Sequence, residues 1–512
     1  MPEWTNQQQT AIDARGRSII VSAAAGSGKT AVLVERLLRI LSDYEHPVRA
    51  DRIIVVTFTN DAAAQMKQRL SKALTARLSE LEDSPEYEWL LEQRVHLAGA
   101  KISTVHSFCF DLIRENADAL DVQPNFGIAE PGQESICQRH ALDTVMERWT
   151  AEKPEMQLLY DHFCVRSDSD MESLILGIAD FLGSVAFPEQ WFRDARRLAA
   201  DPGSLFERLR EHTCGALREV IALYEKAEPF AREAIPGVQE NKFTVRLREE
   251  LTAFRTQLAY LESEPMEQLC REPLKHEVVF ERFYPPKKEV VPEYKKAFTL
   301  LRTIAKEQYL SRVIGASYDA AARTTVKRLG FLRYFADDAE LTARLIPALL
   351  ELVEDYLEAL RAEKQERNIL AFSDAEELTL RLLADIGEDG ALSKSALANQ
   401  LSEQYDLIMV DEYQDTNDKQ DHIFKLLSHG TRIDSTGIHY GDNAFLVGDV
   451  KQSIYSFRQA DPENFRAAIA ESRPLSAAED GMALIYLNRN FRSAPGVLDF
   501  VNALFHAVMR VE

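Results

Sequence analysis

Cysteine is scarce in this chain: five residues in 512, at Cys109, Cys137, Cys164, Cys214 and Cys270, with no CxxC pair. An odd, scattered set excludes a disulfide scaffold, gives no zinc or iron–sulfur spacing, and fits reduced thiols in a cytoplasm. No apolar run approaches the roughly 18 residues of a membrane span. The stretch Met1 to Arg17 is polar, so no signal peptide is expected. Internal repeats and low-complexity tracts are also missing. Positive charge is in deficit, with a formal net charge of −22. That argues against a uniformly basic nucleic-acid binder. It does not exclude a basic groove, because phosphate contacts depend on where individual Lys and Arg residues stand.

What is present is an ordinary globular composition, 46% hydrophobic and 28% charged, in a chain long enough for several domains. Ser18 to Ser22 reads as a β-rich run, followed by a Gly-rich loop and the helical pattern Val32, Leu33, Leu37, Leu38, Leu41. Ile53 to Phe58 and Ile102 to Thr104 read as further strands, each leading into a helix. Alternation of this kind predicts an α/β fold with a parallel sheet covered on both faces. From about Leu120 to Gln400 the pattern becomes helical, with the stripe Leu345, Leu349, Leu352, Tyr356, Leu360 as one case. Strand signatures resume at Leu407 to Asp411, Ala444 to Asp449 and Ala483 to Leu487. The expected organisation is an α/β domain over 1–118 and 401–478, a helical insertion over 119–400, and the start of a second α/β domain over 479–512.

Two segments carry chemistry. The loop Ala23 to Thr30 contains Ala25-Gly26-Ser27-Gly28-Lys29-Thr30, a phosphate loop in which Ala23 stands where the motif has its first glycine. Glycines let backbone N–H groups approach phosphates, Lys29 supplies charge to the β/γ-phosphates, and Thr30 is a Mg²⁺ ligand. The second segment is Asp411-Glu412-Tyr413-Gln414-Asp415, reached through Leu407-Ile408-Met409-Val410. Adjacent carboxylates at the end of a buried strand divide the work: Asp411 holds the metal and Glu412 polarises the attacking water. ATP and Mg²⁺ are the expected ligands.

Further blocks follow in order: Thr57-Phe58-Thr59-Asn60, Thr104-Val105-His106-Ser107, Val447-Gly448-Asp449 with Gln452-Ser453-Ile454-Tyr455, and Asn490-Phe491-Arg492-Ser493. From Gln8 to Ser493 this series resembles the superfamily 1 helicases of the UvrD/Rep/PcrA kind. Lys451, where UvrD-like proteins usually carry Asp, and the long helical insertion point to the AddA/RecB branch of helicase–nucleases. The resemblance implies a RecA-like fold with a helical domain 1B inserted into motor domain 1A, and a start of motor domain 2A. It implies an ATP-dependent 3′→5′ DNA helicase acting on double-strand ends in recombination and repair, with an AddB-like partner subunit.

The resemblance also assigns roles. Gln8 would read the adenine edge, though it could be one polar residue in a glutamine run. Gln452 would sense the γ-phosphate, Arg492 would act like an arginine finger, and Phe491 would stack on the base of ATP. Phe58, Tyr455 and Phe457 would stack or wedge bases of single-stranded DNA, with Thr57, Asn60, His106 and Ser107 as backbone contacts. Core packing is the alternative for each aromatic, and a buried structural role for His106. Asp61 and Gln65 stand where the family commonly has Lys and Glu, which removes a phosphate contact. Basic and aromatic residues interleave over 282–328 (Lys287, Lys288, Lys295, Lys296, Arg302, Arg312 with Tyr284, Tyr294, Phe298, Tyr309), either a DNA surface or a solvated helical face.

The chain stops at Glu512, soon after Arg492. The expectation is an N-terminal portion of a longer protein, with nuclease residues outside this chain and weak activity from this portion alone. A stand-alone UvrD-like repair helicase and a nucleotide-switched DNA-binding scaffold are the alternative readings.

Overall fold

Short β-branched runs from both ends of the chain meet in one sheet. The computed structural model describes residues 3–81, 84–164, 167, 169–235, 237–238, 240–271, 275–284, 290–314, 317–319, 324–326, 331–387, 390–455, 459–476 and 481–508. The sheet's strands are β1 (Ile19–Ala23), β2 (Ile53–Thr57), β3 (Lys101–Thr104), β4 (Leu407–Val410), β5 (Ala444–Gly448), β6 (Arg473–Pro474) and β7 (Ala483–Leu487). They lie in the seven-stranded order β6-β7-β1-β5-β4-β2-β3. Every pairing in it is parallel.

Alternate residues along these strands enter two different cores. Ile20, Ile54, Val56, Ile408, Val410 and Leu446 face one cluster. Ile19, Val21, Ile53, Val55, Met409, Phe445 and Val447 face the other. The period of two therefore buries both faces, which explains why each strand reads as a continuous apolar run. Helices α2 (Lys29–Ser42) and α3 (Asn60–Leu78) cover the second face with Leu33, Leu37, Leu41, Met66, Leu70 and Leu74. Helices α4 (Val105–Glu115), α5 (Phe372–Leu383) and α6 (Asp418–Leu427) cover the first. A short helix, α1 (Asn6–Asp13), precedes β1.

Strand order corrects one expectation. Ala483–Leu487, read from sequence as opening a second α/β domain at 479, pairs along β1 from Ile19↔Ala483 to Ala23↔Leu487. It belongs to the phosphate-loop sheet, because β1 had a free edge that an apolar parallel strand could cover.

The chain divides into two compact units, one of residues 1–146, 172–188 and 356–512, the other of residues 147–171 and 189–355. The helical unit is thus shorter at both ends than 119–400. Within the first unit Gly127–Ile128 pairs in parallel with Ile369–Leu370, joining two points far apart in sequence. The second unit has its own core, built on the long helices Pro202–Glu233 and Lys242–Ser263 with Leu217, Tyr224, Phe243, Leu247 and Phe254. Helix Phe331–Glu366 carries the expected stripe, and Leu345, Leu349, Leu352, Tyr356 and Leu360 are buried. None of the five cysteines forms a disulfide. Among the described residues no helix is long and apolar enough to cross a membrane.

Candidate active site

The carboxyl ends of β1, β5 and β4 are neighbours in the sheet, so the loops that follow them share one crevice. The loop after β1 turns through Gly26 (φ 73°) and Gly28 (φ 82°), both in the left-handed region that side chains disfavour. A Cβ on Gly28 would stand 3.2 Å from Gln8 Nε2, and one on Gly26 would stand 2.8 Å from Asn490 Nδ2. Ser27 N–H donates to Ala24 O at 3.1 Å, closing the turn. Lys29 and Thr30 open α2, where unpaired backbone N–H groups and the helix dipole favour an anion.

Gln8 is buried, and its neighbour Gln7 is exposed. Its Nε2 donates to Ser27 O at 3.0 Å and its Oε1 accepts from Thr5 N–H at 3.0 Å. The capping box of α1 thus holds this one glutamine of the run against the phosphate loop.

The acid pair follows β4. Asp411 N–H continues the ladder to Val56 O at 2.9 Å. Glu412 then takes left-handed dihedrals (φ 53°, ψ 44°), a strained conformation for a residue with a side chain. That turn aims Glu412 at the phosphate loop, where Oε2 lies 2.7 Å from Lys29 Nζ. Burial, with Glu412 beside it, pushes the Asp411 carboxyl up to about 6. Its Oδ1 accepts from Glu412 N–H at 3.0 Å. Burial and Glu412 likewise push Asp415 up to about 6.

One residue ties these loops together. Gln414 Nε2 donates to Glu412 Oε2 at 2.8 Å and to Asp415 Oδ2 at 3.1 Å. Its Oε1 accepts from Asp449 N–H at 2.9 Å. Asp449 Oδ2 in turn accepts from Gln452 Nε2 at 2.7 Å. Gly448 makes the approach possible, since a Cβ there would lie 2.4 Å from Gln414 Oε1. A path of side-chain contacts therefore runs from Lys29 through Glu412, Gln414 and Asp449 to Gln452.

The segment after β7 covers the phosphate loop from another side. Asn490 Nδ2 donates to Ala25 O at 2.9 Å, and Phe491 N–H donates to Gly26 O at 2.8 Å. Asn490 Oδ1 accepts from the N–H groups of Arg492 (2.8 Å) and Ser493 (2.9 Å). Phe491 is 52% exposed, with the Arg489 guanidinium 5.4 Å over its ring. Arg492 is exposed.

The residues proposed to meet a nucleic acid are placed unevenly. Phe58 and Tyr455 stack with centroids 4.5 Å apart and rings tilted by 31°. Asn60 is exposed at the start of α3. Thr57 is buried, its hydroxyl donating to Thr59 O at 3.0 Å. Ser107 Oγ lies 2.9 Å from Thr104 Oγ1 inside a helix cap. His106 Nε2 lies 3.0 Å from Glu376 Oε1, with the Phe372 ring edge-on at 4.8 Å. Phe457 lies outside the described residues, as do Lys287 and Lys288. In the helical unit Phe298 and Tyr309 are buried, and Arg302 and Arg312 reach Glu250 and Glu219 at 2.5 Å each. That part of the basic–aromatic run is therefore core and ion pair.

Gln414, Asp449, Asn490 and Glu376 are absent from the sequence-derived set. The first three lie inside the blocks quoted above, which was the available signal. Glu376 had none.

A parallel sheet carrying a glycine loop at one strand end, faced by an Asp–Glu pair from another, defines a P-loop nucleotide-binding protein. Comparison refines the class: the UvrD/REP helicase N-terminal domain family matches residues 4–472, and the chain belongs to that family. It is 36% identical over 524 residues to the AddA chain of an ATP-dependent helicase/nuclease from Bacillus pumilus (strain SAFR-032), covering 99% of this chain and 40% of the relative. Proteins of the same name from Moorella thermoacetica (strain ATCC 39073 / JCM 9320) and Clostridium beijerinckii (strain ATCC 51743 / NCIMB 8052) are 35% and 31% identical, again over 99% of this chain. The chain spans 35% to 40% of the length of these three relatives.

Proposed function

We propose that this chain is the ATP-hydrolysing motor portion of a DNA helicase–nuclease that moves 3′→5′ on single-stranded DNA. The observation that carries the reading is the Lys29–Glu412 contact at 2.7 Å, which joins a phosphate-binding ammonium to a candidate base from the other end of the chain.

The residues present fit a nucleotide and a divalent cation. Gly26 and Gly28 leave a cradle that a Cβ would fill, and the buried Ser27 Oγ has no partner among the described residues. Asp411 is a buried carboxylate beside a second carboxylate, an environment that a cation stabilises. Thr30 and Asp411 would hold Mg²⁺, which when bound neutralises phosphate charge. Lys29 binds the β/γ-phosphates and Gln8 the adenine, with Phe491 against the base. Glu412 orients the attacking water and accepts its proton. Gln452, held by Asp449, senses the γ-phosphate, and Arg492 offsets charge that develops in the transition state. Phe58 and Tyr455 form the stacking platform for the strand, with Phe457, Asn60 and His106 as further contacts.

In this reading the sheet unit is a RecA-like motor domain 1A and the helical unit is an inserted domain 1B. A nuclease and an AddB-like partner act with it at double-strand ends in recombination and repair.

Lys29→Ala in the full-length protein is expected to abolish DNA-stimulated ATPase and unwinding while DNA affinity stays within about threefold, since the phosphate loop binds nucleotide and not the strand. Unwinding at the parental rate in that variant rejects the proposal.

A further inference from the structure

Glu376 is 3% exposed, yet it is ionised and surrounded by donors from two separate segments. His106 Nε2, on α4, lies 3.0 Å from its Oε1. From α6, Gln420 Nε2 donates to Oε1 at 2.6 Å and Asn417 Nδ2 donates to Oε2 at 2.8 Å. Burial drives this carboxyl upward, but the His106, Gln420 and Asn417 contacts hold it below its ordinary value. A buried carboxylate that keeps its charge through three donors resists displacement, because losing any one leaves a polar group unpaired.

The two ends of this cluster differ in setting. His106 is about one-third exposed at its side chain, and the 52% exposed Phe372 lies edge-on to it at 4.8 Å. Asn417 is the N-cap of α6, its Oδ1 accepting from Gln420 N–H at 2.8 Å. It stands two residues after Asp415, where the turn bearing the acid pair ends, and Thr416 Oγ1 donates back to Tyr413 O at 2.8 Å. One carboxylate thus clamps a solvent-facing histidine to the cap that closes the Asp–Glu turn.

We propose that Glu376 is a positioning residue that couples occupancy of the His106–Phe372 surface by a DNA strand to the alignment of the acid pair for ATP hydrolysis. This rests on the motor reading above. A strand that shifts His106 shifts Glu376, and Asn417 and Gln420 pass the shift to the start of α6. All three neighbours donate, so a carboxylate is required: an amide at this position would turn its own N–H groups toward another donor.

The test is the ratio of ATP turnover with a poly(dT) oligonucleotide to turnover without it, in the full-length protein. Glu376→Gln is expected to lower that ratio about tenfold while the KM for ATP stays within about twofold. His106→Ala added to it is expected to bring little further loss, as groups in one network are not additive. A purely structural role would lower both rates together and leave the ratio unchanged. If Glu376→Gln does not fold, the partly exposed Gln420→Met is expected to lower the same ratio about threefold. A parental ratio in the folded variant overturns the coupling alone. A parental protein with no DNA stimulation overturns the motor reading and the coupling with it.

Discussion

Gln414 lies two positions after Glu412 in sequence, and its amide contacts Glu412, Asp415 and the backbone of Asp449. It is 1% exposed. Replacing it with Met keeps the volume, removes the tether on Glu412 and leaves the Asp449 N–H buried without an acceptor. Gln414→Met is expected to cost about 1–3 kcal/mol of stability. It should lower kcat for ATP about tenfold, with a smaller change in KM, because it loosens the acid and not the phosphate cradle. Denaturant unfolding together with steady-state ATPase checks this, and an unchanged kcat would deny Gln414 its positioning role. The presence of Gln414 in the acid block was legible in the sequence. Its reach to Asp449 was not, since that contact exists only because β4 and β5 lie side by side.

At the scale of elements, the first helix depends on a residue of the second. Arg36 is 3% exposed on α2, and its Nη1 donates to Ala11 O at 2.8 Å and Ala14 O at 2.7 Å at the end of α1. Its guanidinium also sits 4.1 Å over the Phe445 ring. Burial, with Arg15 nearby, brings its pKa down to about 9. A cation on the last carbonyls of a helix stabilises it, and here it also fixes the helix that presents Gln8. Arg36→Met should therefore destabilise the protein by about 1.5–3 kcal/mol and raise the KM for ATP. Hydrogen exchange of the α1 amides is the direct measurement, and protection equal to the parent would refute the link. Composition gave no sign of this, because an arginine in an amphipathic helix reads as its solvated face. The same limit explains β7: the apolar run 483–487 announced a strand, but only β1 decided which sheet took it.

For the whole molecule, the division into two units makes a physical prediction. The helical unit buries its own core, including Leu217, Tyr224, Phe243, Leu247 and Phe254. It satisfies its buried polar groups internally, with Tyr224 donating to Glu250 at 2.9 Å and Tyr309 donating to Gln257 at 2.6 Å. A fragment of residues 189–355 is expected to fold alone, with helical circular dichroism and a cooperative melt. A broad, non-cooperative loss of signal would show that its core needs the sheet unit. By itself the sequence determined the local vocabulary: which runs are strands, where the phosphate loop and acid pair stand, and that a long helical region separates them. Those follow from apolar periodicity and from residue types whose chemistry is specific. Strand order, the limits of the helical unit and the contacts of Gln414, Asn490, Arg36 and Glu376 were decided only by the tertiary structure. They join residues hundreds of positions apart, and no local pattern records which distant backbone will arrive beside a given side chain.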